Sequence, residues 1–194
     1  AYKTHRSMDD IDSVKVNFFS FTNRTVWTWK DQYTEVDIQA FNSQENQLAF
    51  YATQDTSEVK QYDIHLLAVD GSKHVHLDSA KIGFDIDHSI SPHYDLSFTM
   101  KDDILFFGVG DRELEDPEDT LTKNEKVHLD LWHYKDQRLQ PQQLLEKDDD
   151  LKASLMFAYH INSDKVVQLE NDTLDVYEDY NLKGKYLMGS SDEP

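Results

Sequence analysis

Histidine is the residue with the most chemistry to offer in this chain, which carries nine of them. His74 and His76 alternate in the short run HVHL, and His88 and His93 follow close behind. Two-residue spacing on a strand puts both side chains on one face, as a divalent metal would require. No helix motif of the carboxylate–histidine type and no closed ligand set accompanies them. Strand histidine pairs are ordinary surface features, so no metal ligand is assigned. Asp85-Ile86-Asp87 and Asp148-Asp149-Asp150 lack the glycine and terminal glutamate of a calcium loop and read as solvated turns.

Nucleophilic chemistry has less support. Gly71-Ser72 and Gly189-Ser190-Ser191 lack the second glycine of a G-x-S-x-G elbow. Gly108-Val109-Gly110 has no Gly-Lys-Ser/Thr after it and is not a phosphate loop. Acidic pairs are too numerous for a glycosidase pair to stand out. The aromatic runs Val26-Trp27-Thr28-Trp29 and Leu131-Trp132-His133-Tyr134 suit a sugar platform, but such rings are expected to pack between sheets. The sequence assigns no catalytic, cofactor-binding or metal residue.

The elements that would position any such group are strands. Three stretches share one grammar: residues 34–53, 94–110 and 174–190 each alternate apolar and polar residues, turn, and alternate again. The expected turn pairs are Glu45-Asn46, Asp102-Asp103 and Lys183-Gly184. Leu48, Leu105 and Tyr186 stand just past the turns, with Phe50, Phe107 and Met188 two residues later. Residues 62–77 and 155–169 also match each other, with turns at Asp70-Gly71-Ser72-Lys73 and Asn162-Ser163-Asp164-Lys165. Residues 1–13 are polar and read as frayed or as borrowed from a preceding element. Residues 95–100 read as one strand, and the acidic stretch 111–126 as a mobile loop. Residues 136–150 read as a surface excursion; residues 140–155 come nearest to a helical period, but Pro141 and five charges in a row, Glu146 to Asp150, weigh against it.

The pattern predicts an all-β chain: a half-blade at 14–29, blades at 34–77 and 82–169, and a half-blade at 173–190. Repeated antiparallel units that cannot bury their faces alone signal a propeller or similar array. The expectation is a partial β-propeller, an arc of about three to four blades. The third copy stops in mid-unit, which predicts a piece of a larger protein. Open blade edges predict self-association.

Composition narrows the partners. With 38 acidic against 19 basic residues, the formal charge is −19. That field repels phosphate backbones and anionic membranes, so neither nucleic acid nor a membrane is expected as partner. The 194 residues include ten Phe, ten Tyr and three Trp, enough apolar surface for a core. Cysteine is absent, which removes disulfides, thiol nucleophiles and thiolate metal sites and leaves the compartment open.

Residues 128–144, HLDLWHYKDQRLQPQQL, resemble a strand-and-loop signature in the β-propeller of bacterial prolyl oligopeptidase family serine peptidases. There a D-hydrophobic-W-x-[WY]-x-D-x-x-L-Q run recurs. Residues 88–113, HSISPHYDLSFTMKDDILFFGVGDRE, are similar to the hairpin before it, and LAFYATQD, YDIHLLAVDG, VVQLEND and KGKYLMGSSDEP fit flanking blades. The resemblance implies a propeller that gates access of peptide substrates to a separate α/β-hydrolase domain holding the Ser-Asp-His triad. None of that domain's catalytic residues has a counterpart here. Tyr177-Glu178-Asp179 is only superficially similar to the amino-terminus clamp of the dipeptidyl-peptidase branch, because it lacks the second glutamate. The resemblance implies a bacterial protein, periplasmic or cytoplasmic. The rival expectations are a stand-alone binding or scaffold module for protein or glycan partners, and an independent enzyme with a rim site.

Overall fold

The computed structural model of the chain describes residues 2–8, 11–83, 87–114, 138–177 and 186–191. Antiparallel strands dominate, gathered into sheets that follow one another along the sequence. The first sheet holds β1 (Tyr2–Met8), β2 (Ile11–Phe19) and β3 (Val26–Thr28). The second is a meander of β4 (Glu35–Phe41), β5 (Gln47–Thr53), β6 (Asp63–Ala68) and β7 (His74–Leu77). A short helix α1 (Ser79–Ile82), capped by the Asp78 side chain and by Gly83, leads to the third.

That third sheet is built on β10 (Ile104–Asp111), which pairs with β8 (His88–Ile90) and β9 (Ser97–Phe98) on one side and β11 (Leu155–His160) on the other. Helix α2 (Gln140–Lys152) precedes β11, and β12 (Lys165–Gln168) closes the sheet. Last comes the hairpin β13 (Leu174–Tyr177) and β14 (Met188–Ser191).

The central strands β5 and β6 of the second sheet and β10 and β11 of the third are largely buried on both faces because both faces are covered. Leu48, Phe50, Ala52 and Leu67 face the first sheet and pack on Val14, Val16, Phe18, Trp29 and Tyr33. The opposite face, with Ala49, Tyr51, Ile64 and Leu66, meets Leu105, Phe107, Val109, Phe157 and Tyr159 of the third sheet. The third sheet's far side, Phe106, Met156 and Ala158, lies against Val176 and Leu187 of the last hairpin. Each fully buried Phe or Leu contributes about 1.5–3 kcal/mol, so these interlayers carry the stability. In the last hairpin, Tyr186 and Met188 remain largely exposed, unlike Leu48, Phe50, Leu105 and Phe107 at matching positions.

Turn residues carry the strain that lets each meander reverse. Glu45, Asp102 and Asp164 adopt positive φ, as does Gly71 between β6 and β7. Aspartate enters this region more readily than most side chains, and glycine freely.

Three sequence expectations are corrected. Residues 2–8 are a strand rather than a frayed end: β1 pairs with β2 in unbroken register from Tyr2↔Asn17 to Met8↔Ile11. Its sequence, YKTHRSM, shows no apolar alternation because it is an edge strand held through its backbone. The strand expected over 95–100 shrinks to Ser97–Phe98, with β8 pairing separately to the far end of β10. Between them Pro92 offers no N–H, and Tyr94 lies against Gly108, where even a Cβ would sit 2.4 Å from the Tyr94 Cβ. Most of the surface excursion expected over 136–150 is a helix, α2, which runs from Gln140 to Lys152. Pro141 stands at its start, where a missing N–H costs nothing, and the charged run is solvated along its exposed length. The part of the 128–144 signature up to residue 137, the loop beyond residue 114, and the Lys183-Gly184 turn lie outside the described residues.

Candidate functional site

Among the described residues, two places gather polar side chains. The first is a cleft of about 350 Å³ between the second and third sheets, where β4 begins and β10 ends. Its lining includes Glu35, Lys60, Tyr62, His93, Asp111 and Glu113. Lys60 Nζ holds Glu35 Oε2 at 2.7 Å, and His93 Nε2 faces Glu113 Oε1 at 3.6 Å. Burial, helped by the Glu35 carboxylate, pushes the Tyr62 phenol up to about 12. Carboxylates outnumber cations here, which suits a polar ligand bearing positive charge.

The second place is on β6 and β7. Alternation puts Asp63 and His65 on one face of β6, and His74 and His76 on the same face of β7. The register sets His65 directly opposite His76 and His74 opposite Leu67. The result is a chain of contacts: Asp63 Oδ2 to His76 Nε2 at 2.9 Å, and His65 Nδ1 to His74 Nε2 at 2.9 Å. The His65 and His76 rings are parallel, with centroids 4.7 Å apart. Ligand atoms of Asp63, His65 and His76 all lie within 4.8 Å of one another.

Aromatic residues wall this cluster. Phe50 lies parallel to His65, Tyr33 meets it edge-on, and Trp29 meets His74 edge-on. His65 is 6% exposed, and that burial, with His76 and His74 alongside, lowers its pKa to about 3, so the ring is neutral. Burial lowers His74 as well, opposed by the Asp31 carboxylate, and raises Asp63, opposed by His76. Among the described residues the buried Tyr33 hydroxyl and Trp29 indole N–H find no well-formed hydrogen-bond partner, although each lies in the other's field. Desolvation pushes the Tyr33 phenol up to about 12.

Of the histidines singled out from sequence, the structure unites His74 and His76 and leaves two apart. His88 faces Asp111 at 3.8 Å, and His93 belongs to the cleft. Asp148 to Asp150 lie exposed on α2. Trp27 and Trp29 stack with centroids 6.0 Å apart and pack against the second sheet rather than forming an open platform. The 131–134 aromatic run and Asp85-Ile86 lie outside the described residues. Sequence reasoning passed over Asp63 and His65. The signal was available: counting back from the Asp70-Gly71 turn places His65 across from His76.

No protein-family model matches the chain, and no curated protein matches its sequence.

Proposed function

We propose that the chain is an arc of β-propeller blades, the non-catalytic region of a prolyl-oligopeptidase-like serine peptidase, and that it gates peptide access to a separate α/β-hydrolase domain. The observation that carries this reading is the order of packing. Four antiparallel sheets, consecutive in sequence, stack face to face, and the two middle ones are covered on both sides. The first strand of the second sheet, β4, also approaches both neighbouring sheets, at β2 and at β9. Propeller blades stack in this way, each needing its neighbours to bury its faces.

Gating chemistry asks for no nucleophile on the arc. A fluorophosphonate probe is the direct test. On the complete gene product it should label a serine outside these residues, and the isolated folded chain should remain unlabelled. Labelling of the isolated chain would refute the gating role, and an unlabelled gene product would refute the peptidase assignment.

The cleft favours a second reading, a binding module for protein or glycan partners. An acid-lined groove between two blades can hold a ligand without any partner domain. A rise in melting temperature with oligosaccharides or basic peptides, abolished by Tyr62→Ala, would move this reading ahead.

A further inference from the structure

We propose that Asp63, His65 and His76 form a binding site for a divalent transition-metal ion of the zinc class. The inference is independent of the propeller reading and departs from the sequence expectation that no residue ligates a metal. Two imidazoles and one carboxylate are the donor set that zinc, copper and nickel prefer over calcium or magnesium. Three protein ligands leave a fourth position open to solvent.

The distances between ligand atoms are close to what such an ion needs. Bonds of about 2.0–2.2 Å in a tetrahedron put ligand atoms roughly 3.3–3.5 Å apart. Asp63 Oδ2 and His76 Nε2 already stand at 2.9 Å, and all three ligand atoms fall within 4.8 Å. An ion entering between Asp63 and His76 replaces the proton they share. The stacked His65 and His76 rings aim their in-plane lone pairs along separate planes, so coordination takes rotation of His76, whose side chain is 44% exposed and has room to turn.

The surroundings supply what a metal site requires beyond its ligands. His65 Nδ1 is engaged by His74 Nε2 at 2.9 Å, so coordination falls to Nε2. Nδ1 then carries the proton and donates it to His74, which fixes the tautomer and the ring orientation. Phe50, Tyr33 and Trp29 restrict the rings from the inner side, and the exposed edge at Asp63 and His76 is the entry path. A paired strand backbone holds both ligand-bearing elements in register.

Zinc itself is the probe. Titrated into the metal-free chain, it should bind one ion per molecule and release protons. It should also raise the melting temperature by several degrees at a hundredfold excess over Kd, where magnesium and calcium do not. Cobalt in its place should give the intense visible bands of a tetrahedral site. His65 lies in the core, so the informative variants are Asp63→Asn and His76→Ala, each checked for native circular dichroism. Each should weaken zinc binding more than about tenfold, while His88→Ala should leave it unchanged. Absence of zinc uptake by the folded chain would overturn the proposal. So would an affinity that survives both variants.

Discussion

The Asp102 carboxylate accepts two hydrogen bonds from Ser43, one from its backbone N–H and one from its hydroxyl, each at 2.7 Å. Ser43 lies in the turn between β4 and β5, and Asp102 in the turn between β9 and β10. Equivalent turns of neighbouring sheets are therefore joined side to side. Asp102 does two things at once: it takes the positive φ of its own turn, 58°, and clasps the turn next door. Tyr51 makes a second link of this kind, its hydroxyl donating to the Tyr94 carbonyl at 2.7 Å. The stack is thus registered by polar contacts, at the turns and within the interlayer, as well as by apolar packing.

Replacing Asp102 with alanine removes both bonds and leaves a β-carbon residue in left-handed backbone. The expected loss is about 1–3 kcal/mol of unfolding free energy. Asp102→Asn tolerates the same φ and keeps an acceptor oxygen, so it should cost less. Urea unfolding of both, with Ser43→Ala completing a double-mutant cycle, measures the coupling. A coupling near zero would mean the link does nothing for stability.

Gly108 and Gly83 make a controlled pair. At Gly108 a Cβ would meet Tyr94 Cβ at 2.4 Å and Ser154 Oγ at 2.7 Å, with no slack in the strand. At Gly83 a Cβ meets nothing within 4 Å among the described residues, although φ is +85°. Gly83→Ala should cost only backbone strain, about 1–2 kcal/mol. Gly108→Ala should cost more, as overpacking of about 1–3 kcal/mol or beyond plus displacement of Tyr94. Thermal melts that rank the two the other way would contradict the close approach of the Tyr94 segment to β10.

Alkali should unfold the chain through its tyrosines. Burial raises the Tyr51, Tyr62 and Tyr159 phenols; Tyr62 stands at about 12, and Tyr159 is raised further by donating to Asp164. A phenol whose folded pKa exceeds its unfolded value of 10.0 adds stability that is complete below pH 10 and lost as pH climbs toward the folded value. Above pH 10 the unfolded chain ionises and the native one resists. Each well-buried tyrosine then removes up to about 1.4 kcal/mol per pH unit. Phenolate absorbance should therefore lag for these residues and appear together with loss of circular dichroism. A smooth titration centred near pH 10 with the fold intact would rule this out.

Much of the frame was legible because a period of two survives in the strands, and several turns are built from Asp or Gly. Asp102, Asp164 and Gly71 all take positive φ in turns marked from sequence. Three things were hidden for physical reasons. β1 has no apolar alternation, since an edge strand is held by backbone bonds that any side chain permits. The cluster around His65 depends on register between β6 and β7, which appears only when positions are counted across the turn. α2 buries none of its residues, so no helical stripe exists to be read.

What holds α2 is local charge. Arg138, just before the helix, donates to Glu146 at 2.7 Å and reaches Asp150 at 2.9 Å, spanning its turns from outside. Arg138 and Gln142 hold the Glu146 carboxyl below the usual range, and Gln143 donates back to the Arg138 carbonyl at 3.1 Å. Exposed pairs of this kind add little to global stability, but here they are the helix's main ties. Arg138→Ala should therefore speed hydrogen exchange of the α2 amides while the melting temperature shifts by no more than about 1–2 °C. High salt should act in the same direction by screening. If α2 exchange is unchanged in the variant, its order comes from packing against the third sheet instead.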